Sequence, residues 1–151
     1  DPEYYTPYIS GTNVRVVYND TYALLSHATA ALVTSGTATL ETALFGVPQA
    51  VCYRTPLPRL MRWAFNHIIK CRYISLVNLI ADREVVPELF ADRFTLEVIS
   101  SHLRDILPGG SAREAMLSGY GEVADKLGNT VAPDNAAEIM VNQLKQIRER
   151  L

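Results

Sequence analysis

The feature that most constrains this chain is an apolar run with an abrupt polar stop, repeated after one helix length. Residues 30–33 (Ala-Ala-Leu-Val) run straight into Thr34-Ser35-Gly36-Thr37, and good helix formers then fill 38–45. Gly46 and Pro48 end that segment, and a second apolar run, Gln-Ala-Val-Cys-Tyr, follows at 49–53. A short apolar run without alternation is the pattern of a strand buried on both faces. Two such strands joined by a helix-length segment are too far apart in sequence for a hairpin and pair in parallel through a crossover. An earlier β-rich run, Val14, Val16, Val17 and Tyr18, reads as a further strand, with Asp20 as N-cap of a helix that carries Tyr22 to Leu25. Residues 57–70 are helical in pattern after the breakers Pro56 and Pro58. The expected class is α/β, a Rossmann-like parallel sheet with flanking helices.

The second half is helical. Val98, Ile99, Leu103 and Ile106 share one helical face, and Ser111-Ala112-Arg113-Glu114 has the spacing of a capping box. Asn135 to Glu138 reads as another cap before a helix with Ala137, Met140, Val141, Leu144 and Ile147 on one side. Three helices are therefore expected to close the domain, with loops and short elements over 73–90, where no clean period exists. The opening ten residues, with two prolines and three tyrosines, read as an extended connector that begins abruptly, so the chain is expected to be a piece of a longer protein.

With 151 residues and 48% apolar content the chain can bury one core, and a single domain over 1–151 is expected. A formal net charge of -2 offers no field for nucleic acid. No apolar run reaches the roughly 18 to 20 residues of a membrane span, and Asp1-Pro2-Glu3 does not open a signal peptide. Cys52 and Cys71 form no CxxC pair and read as buried free thiols. His27, His67 and His102 lack metal-ligand spacing, so neither metal nor cofactor is expected.

Chemistry concentrates at residues 34–41. A buried strand that ends in Ser-Gly-Thr and feeds a helix gathers unpaired backbone N–H groups, two hydroxyls and the positive dipole end. Ser35, Gly36 and Thr37 would thus receive anionic oxygen at the carboxyl edge of the sheet, where open α/β folds bind ligands. Glu41, six residues after Ser35, could accept hydrogen bonds from a ribose diol. A plainer reading stays open, because Ser-Gly-Thr is a common cap and a helical glutamate is usually solvated. A Walker lysine and the third glycine of a dinucleotide fingerprint are both missing.

Ser35-Gly36-Thr37, Glu41 and Gly46-Val47-Pro48 together resemble the donor-nucleotide motif of glycosyltransferases with two facing Rossmann-like domains, the GT-B type, and of related nucleotide-sugar epimerases. Tyr53-Arg54 and the stretch from Tyr73-Ile74-Ser75-Leu76-Val77-Asn78 through Asp82-Arg83-Glu84 to Pro87-Glu88-Leu89 resemble the lipid-A-disaccharide synthase family in particular. Val77 stands where that family usually has proline, and Asp82 where it usually has glycine. The resemblance implies a C-terminal, donor-binding half of an enzyme that transfers 2,3-diacylglucosamine from UDP to 2,3-diacylglucosamine 1-phosphate. Implied donor contacts are Ser35, Gly36, Thr37, Glu41, Arg54, Asn78, Arg83 and Glu88, with the general base in an N-terminal half and no metal. Implied partners are the UDP-diacylglucosamine donor, a lipid acceptor and that N-terminal half, at the cytoplasmic side of a bacterial inner membrane.

The segment 57–70 carries more apolar surface than one stripe requires, beside several basic residues. Arg62, Trp63 and Phe65 could contact acyl chains or an anionic membrane face. A core helix with snorkelling arginines, or a surface shared in a homodimer, are the other readings of the same residues. Two rival functions stand beside the transferase: a UDP-sugar 2-epimerase half-domain, and a non-catalytic nucleotide-binding or interaction module.

Overall fold

A computed structural model describes residues 2–34, 36–67, 72–128 and 132–148. Among them lie the strands β1 (Ala31–Val33), β2 (Gln49–Tyr53) and β3 (Glu88–Phe90), all parallel and in the order β1-β2-β3. The helices are α1 (Thr6–Ile9), α2 (Thr21–His27), α3 (Gly36–Leu44), α4 (Pro58–His67), α5 (Leu76–Ala81), α6 (Leu96–Ile106), α7 (Arg113–Leu127) and α8 (Ala132–Arg148). Single 3-10 turns occupy Pro2–Tyr5 and Ala91–Arg93. The α/β class with a parallel sheet and a helical second half is what the sequence implies.

Alternation along β2 divides the core into two layers. Val51 points into a cluster with Ala43, Val77, Met116 and Val123, from α3, α5 and α7, and with Val86 of the loop before β3. Ala50 and Cys52 point the other way, with Leu89, against Val98 and Ile99 of α6. Both faces are covered, which is why β2 reads as a continuous apolar run. Gln49, the polar exception, is fully buried. Its side-chain amide donates to the Thr39 carbonyl at 2.8 Å and to the Tyr120 hydroxyl at 3.4 Å, and that hydroxyl donates to the Val47 carbonyl at 3.1 Å. Burial pushes the Tyr120 phenol well above its ordinary pKa, so it stays a neutral donor that ties α7 to the start of β2.

Several expectations need correction. The β-rich run at 14–18 is not a strand; Val14, Val17 and Tyr18 are exposed, and no strand among the described residues pairs with them. β-Branched residues favour a strand only where cross-strand neighbours exist to pack against. The opening segment is turned and helical rather than extended. Ser111 does not cap α7: the N-cap residue is Ala112 without a side-chain bond, and the Ser111 hydroxyl faces Asp105 at 3.5 Å. Asn135 lies inside α8, which begins at Ala132. Asp20 does precede α2, but its carboxylate makes no capping bond. Cys52 is a buried free thiol, while Cys71 lies outside the described residues.

Candidate functional site

Because the three strands are parallel, their carboxyl ends share one edge of the sheet, and the chain leaves that edge after Val33, Tyr53 and Phe90. The head of α3 therefore lies on the same edge as the loop that begins at Arg54 and the turn at Ala91–Arg93. This edge is where the candidate site is built.

α3 starts at Gly36 directly after the loop that leaves β1. A Cβ added at Gly36 would meet nothing within 4 Å, so the Cα there faces open space. Two threonine hydroxyls of the helix turn inward: Thr39 donates to the Gly36 carbonyl at 2.6 Å and Thr42 to the Ala38 carbonyl at 2.7 Å. Thr37 is exposed, and its hydroxyl makes no hydrogen bond among the described residues. Ser35 lies outside the described residues. At the other end Gly46, with φ of 68°, closes the helix as expected, its amide bonded to the Ala43 carbonyl at 2.9 Å.

Glu41 is half-buried and borders a cleft of about 420 Å³ with Asn19, Asp20, Thr21 and Tyr22. It stands five residues beyond Gly36, roughly 7.5 Å further along the helix axis. Tyr22 is 59% exposed and stacks on Phe45 at 5.4 Å between centroids and 21° between planes. The cleft thus offers a carboxylate acceptor, a flat aromatic face and, at its entrance, the free carboxylate of Asp20. Asn19 to Tyr22 have no role beyond a helix start in the sequence; only the fold, with Tyr22 stacked on Phe45, brings them to Glu41.

Asn78 and Glu88 come together, but inside the protein. Asn78 Oδ1 accepts from the amides of Val85 (2.7 Å) and Val86 (2.9 Å), and its Nδ2 donates to the Val86 carbonyl and to Glu88 Oε1, both at 2.9 Å. Glu88 also accepts from the amides of Ile74 and Ser75 and from the Ser75 hydroxyl at 2.8 to 3.0 Å. Both side chains are buried, and these bonds hold the loop before β3, while both residues also border a cavity beside Phe90. Arg83 points to the surface and forms a two-pronged pair with Glu122 at 2.7 and 3.1 Å. Arg54 is exposed at the carboxyl end of β2.

Arg62 is not free for a membrane. Its Nε donates to Asp92 at 2.7 Å, Nη2 donates to the Phe90 carbonyl at 3.0 Å, and its guanidinium lies 4.1 Å from the centre of the Phe90 ring. That hydrogen bond, first, and the positive charge hold the Asp92 carboxyl below its ordinary value. Trp63 is half-exposed and stacks on His67 at 5.3 Å, while the side chain of Phe65 lies outside the described residues. Among the described residues no helix is long and apolar enough to cross a membrane, and no group of three or more His, Cys, Asp or Glu could hold a metal ion.

Comparison with known proteins follows the same outline. The sequence profile of the family described as lipid-A-disaccharide synthetase matches residues 8–137. The chain is 41% identical over 115 residues to a lipid-A-disaccharide synthase of Myxococcus xanthus, covering 76% of this chain and 30% of that protein. With the protein of the same name from Acidobacterium capsulatum it shares 42% identity over 112 residues, covering 74% and 27%. For Solibacter usitatus the figures are 36% over 140 residues, covering 89% and 36%. The chain spans about a third of the length of these curated relatives.

Proposed function

The chain belongs to the lipid-A-disaccharide synthetase family, and from that premise we propose that it forms the donor-nucleotide side of a glycosyltransferase that moves 2,3-diacylglucosamine from UDP to 2,3-diacylglucosamine 1-phosphate. The observation that carries this reading is the placement of Glu41 in one cleft with Tyr22, a turn and a half from the open head of α3. In this arrangement the diphosphate sits at the amides of Gly36 and Thr37, the ribose hydroxyls donate to Glu41, and the base lies against Tyr22. Exposed amides at a helix start suit phosphate oxygen, and a carboxylate suits a diol.

The chemical role follows from charge. As the glycosidic bond to the donor breaks, negative charge grows on the leaving diphosphate, and donors already aimed at it lower the barrier without reorganising. Arg54, exposed at the same edge, adds a mobile positive charge. Asn78 and Glu88 contribute by fixing the loop before β3, and Arg83 by pinning that loop to α7. The acceptor hydroxyl's base and the acyl-chain contacts belong to a facing domain, and the reading places the enzyme at the cytoplasmic face of a bacterial inner membrane, without a metal. A 2-epimerase would share the Glu41 cleft but not the segment 73–89 that matches the family.

Calorimetric titration of the full-length enzyme with UDP tests this. Glu41→Ala should weaken UDP binding by roughly tenfold, the loss of about 1.4 kcal/mol that removal of one charge-assisted hydrogen-bonding group brings. Unchanged affinity would remove Glu41 from the site and the reading with it.

A further inference from the structure

Beyond β3, a second concavity of about 220 Å³ lies between α4, the residues before α5 and the turn Ala91–Arg93. Arg62, Arg72 and Arg93, from three separate segments, all border it. Arg62 is the fixed wall, neutralised by Asp92 and laid on Phe90. Arg72 lies 5.3 Å from the centre of the Tyr73 ring, and neither it nor Arg93 has a carboxylate within ion-pair distance among the described residues. Arg93 stands two residues after Ala91, a buried alanine with φ of 56°, a conformation such a residue adopts only where its surroundings hold it. Of the two glutamates on the same wall, Glu88 turns its carboxylate into the backbone amides of Ile74 and Ser75. Glu84 is exposed at the rim and opposes an anion.

Two arginines that border one small concavity, with no ion pair among the described residues, suit a compact, doubly charged oxyanion, which a planar fork binds through paired hydrogen bonds. β3 lies two strand spacings from β1, roughly 9.5 Å. A diphosphate seated at the head of α3 therefore leaves this cleft open for another group. We propose that the Arg62–Arg72–Arg93 cleft binds a phosphomonoester carried on a sugar, the anionic end of the glycosyl acceptor. The proposal rests on the transferase reading above and adds the residues that would select a phosphorylated acceptor.

The test uses the full-length enzyme, with glucosamine 1-phosphate, UDP and phosphatidylglycerol vesicles as separate probes. In the double variant Arg72→Gln with Arg93→Gln, glucosamine 1-phosphate should bind at least tenfold more weakly than to the wild type, while UDP affinity stays as it was. Glu84→Gln should shift the same affinity the opposite way, tightening it severalfold, a reversal that damage to the fold would not produce. Absent binding in the wild type, or equal affinity in the double variant, would overturn the proposal. So would a matching loss of UDP binding, which would give the arginines to the donor, or a loss confined to vesicles, which would give them to a lipid surface. Failure of the donor site shows instead in the UDP titration of Glu41→Ala, so the two readings fall separately.

Discussion

Asn78 is fully buried, and each of its four polar positions is matched by a partner of the right kind. Its removal would strand the amides of Val85 and Val86 away from water and take one donor each from the Val86 carbonyl and from Glu88 Oε1, which keeps those of Ile74 and Ser75. Each such group costs about 1 to 3 kcal/mol. Asn78→Ala should therefore destabilise the chain by about 3 kcal/mol or more in urea unfolding, and a change under about 1 kcal/mol would show the network to be dispensable. The two neighbours where this chain departs from its family are explained at the same scale. Val77 is the second residue of α5, where a backbone N–H has no helical partner, so proline or valine fits equally. Asp82 closes α5 with φ of 57° and ψ of 28°, the left-handed conformation that glycine adopts freely and aspartate tolerates.

At the scale of elements, α4 is tied to the end of β3 through Arg62 and Asp92. Because the hydrogen bond from Arg62 lowers the Asp92 carboxyl from its ordinary value of 3.8, the tether is present above that value and is lost as pH falls through the lowered one. Trp63, the chain's single tryptophan, stands on α4 and reports the change. Its fluorescence should shift below about pH 3.8, and Asp92→Asn should abolish that step; a step that persists in the variant would place its origin elsewhere. The same elements show what was legible beforehand. β1, α3 and β2 could be read directly, since burial on both faces leaves an apolar run and Gly46 marks the helix end. β3 could not, because three buried residues beginning with Glu88 carry no period, and only the folded loop supplies the donors that make a buried glutamate tolerable. Residues 14–18 misled because strand propensity says nothing of whether a partner strand lies alongside. Within the site, Glu41 stood out through its spacing from Ser-Gly-Thr, whereas Asn19 to Tyr22, Arg72 and Arg93 join their clefts through tertiary packing alone. Asn78 and Glu88 were singled out by motif, yet a motif marks a residue the family needs without telling whether it meets a ligand or the backbone.

For the whole molecule, the family profile spans 8–137, which contains the sheet, α3 and both clefts. The two clefts lie toward opposite sides of a three-stranded sheet: one beside α3 with a carboxylate and an exposed ring, the other beyond β3 with arginines. That division suits a reaction with one nucleotide-bearing and one phosphate-bearing substrate. On the proposed function, the diphosphate is held by the backbone where β1 passes into α3. An amide-resolved NMR titration of the full-length enzyme with UDP measures this most directly. The largest shifts should fall on the amides of Gly36 and Thr37, with smaller ones at Tyr22 and Glu41 and none at Arg72 or Arg93. Saturable UDP binding that leaves Gly36 and Thr37 unmoved would contradict it.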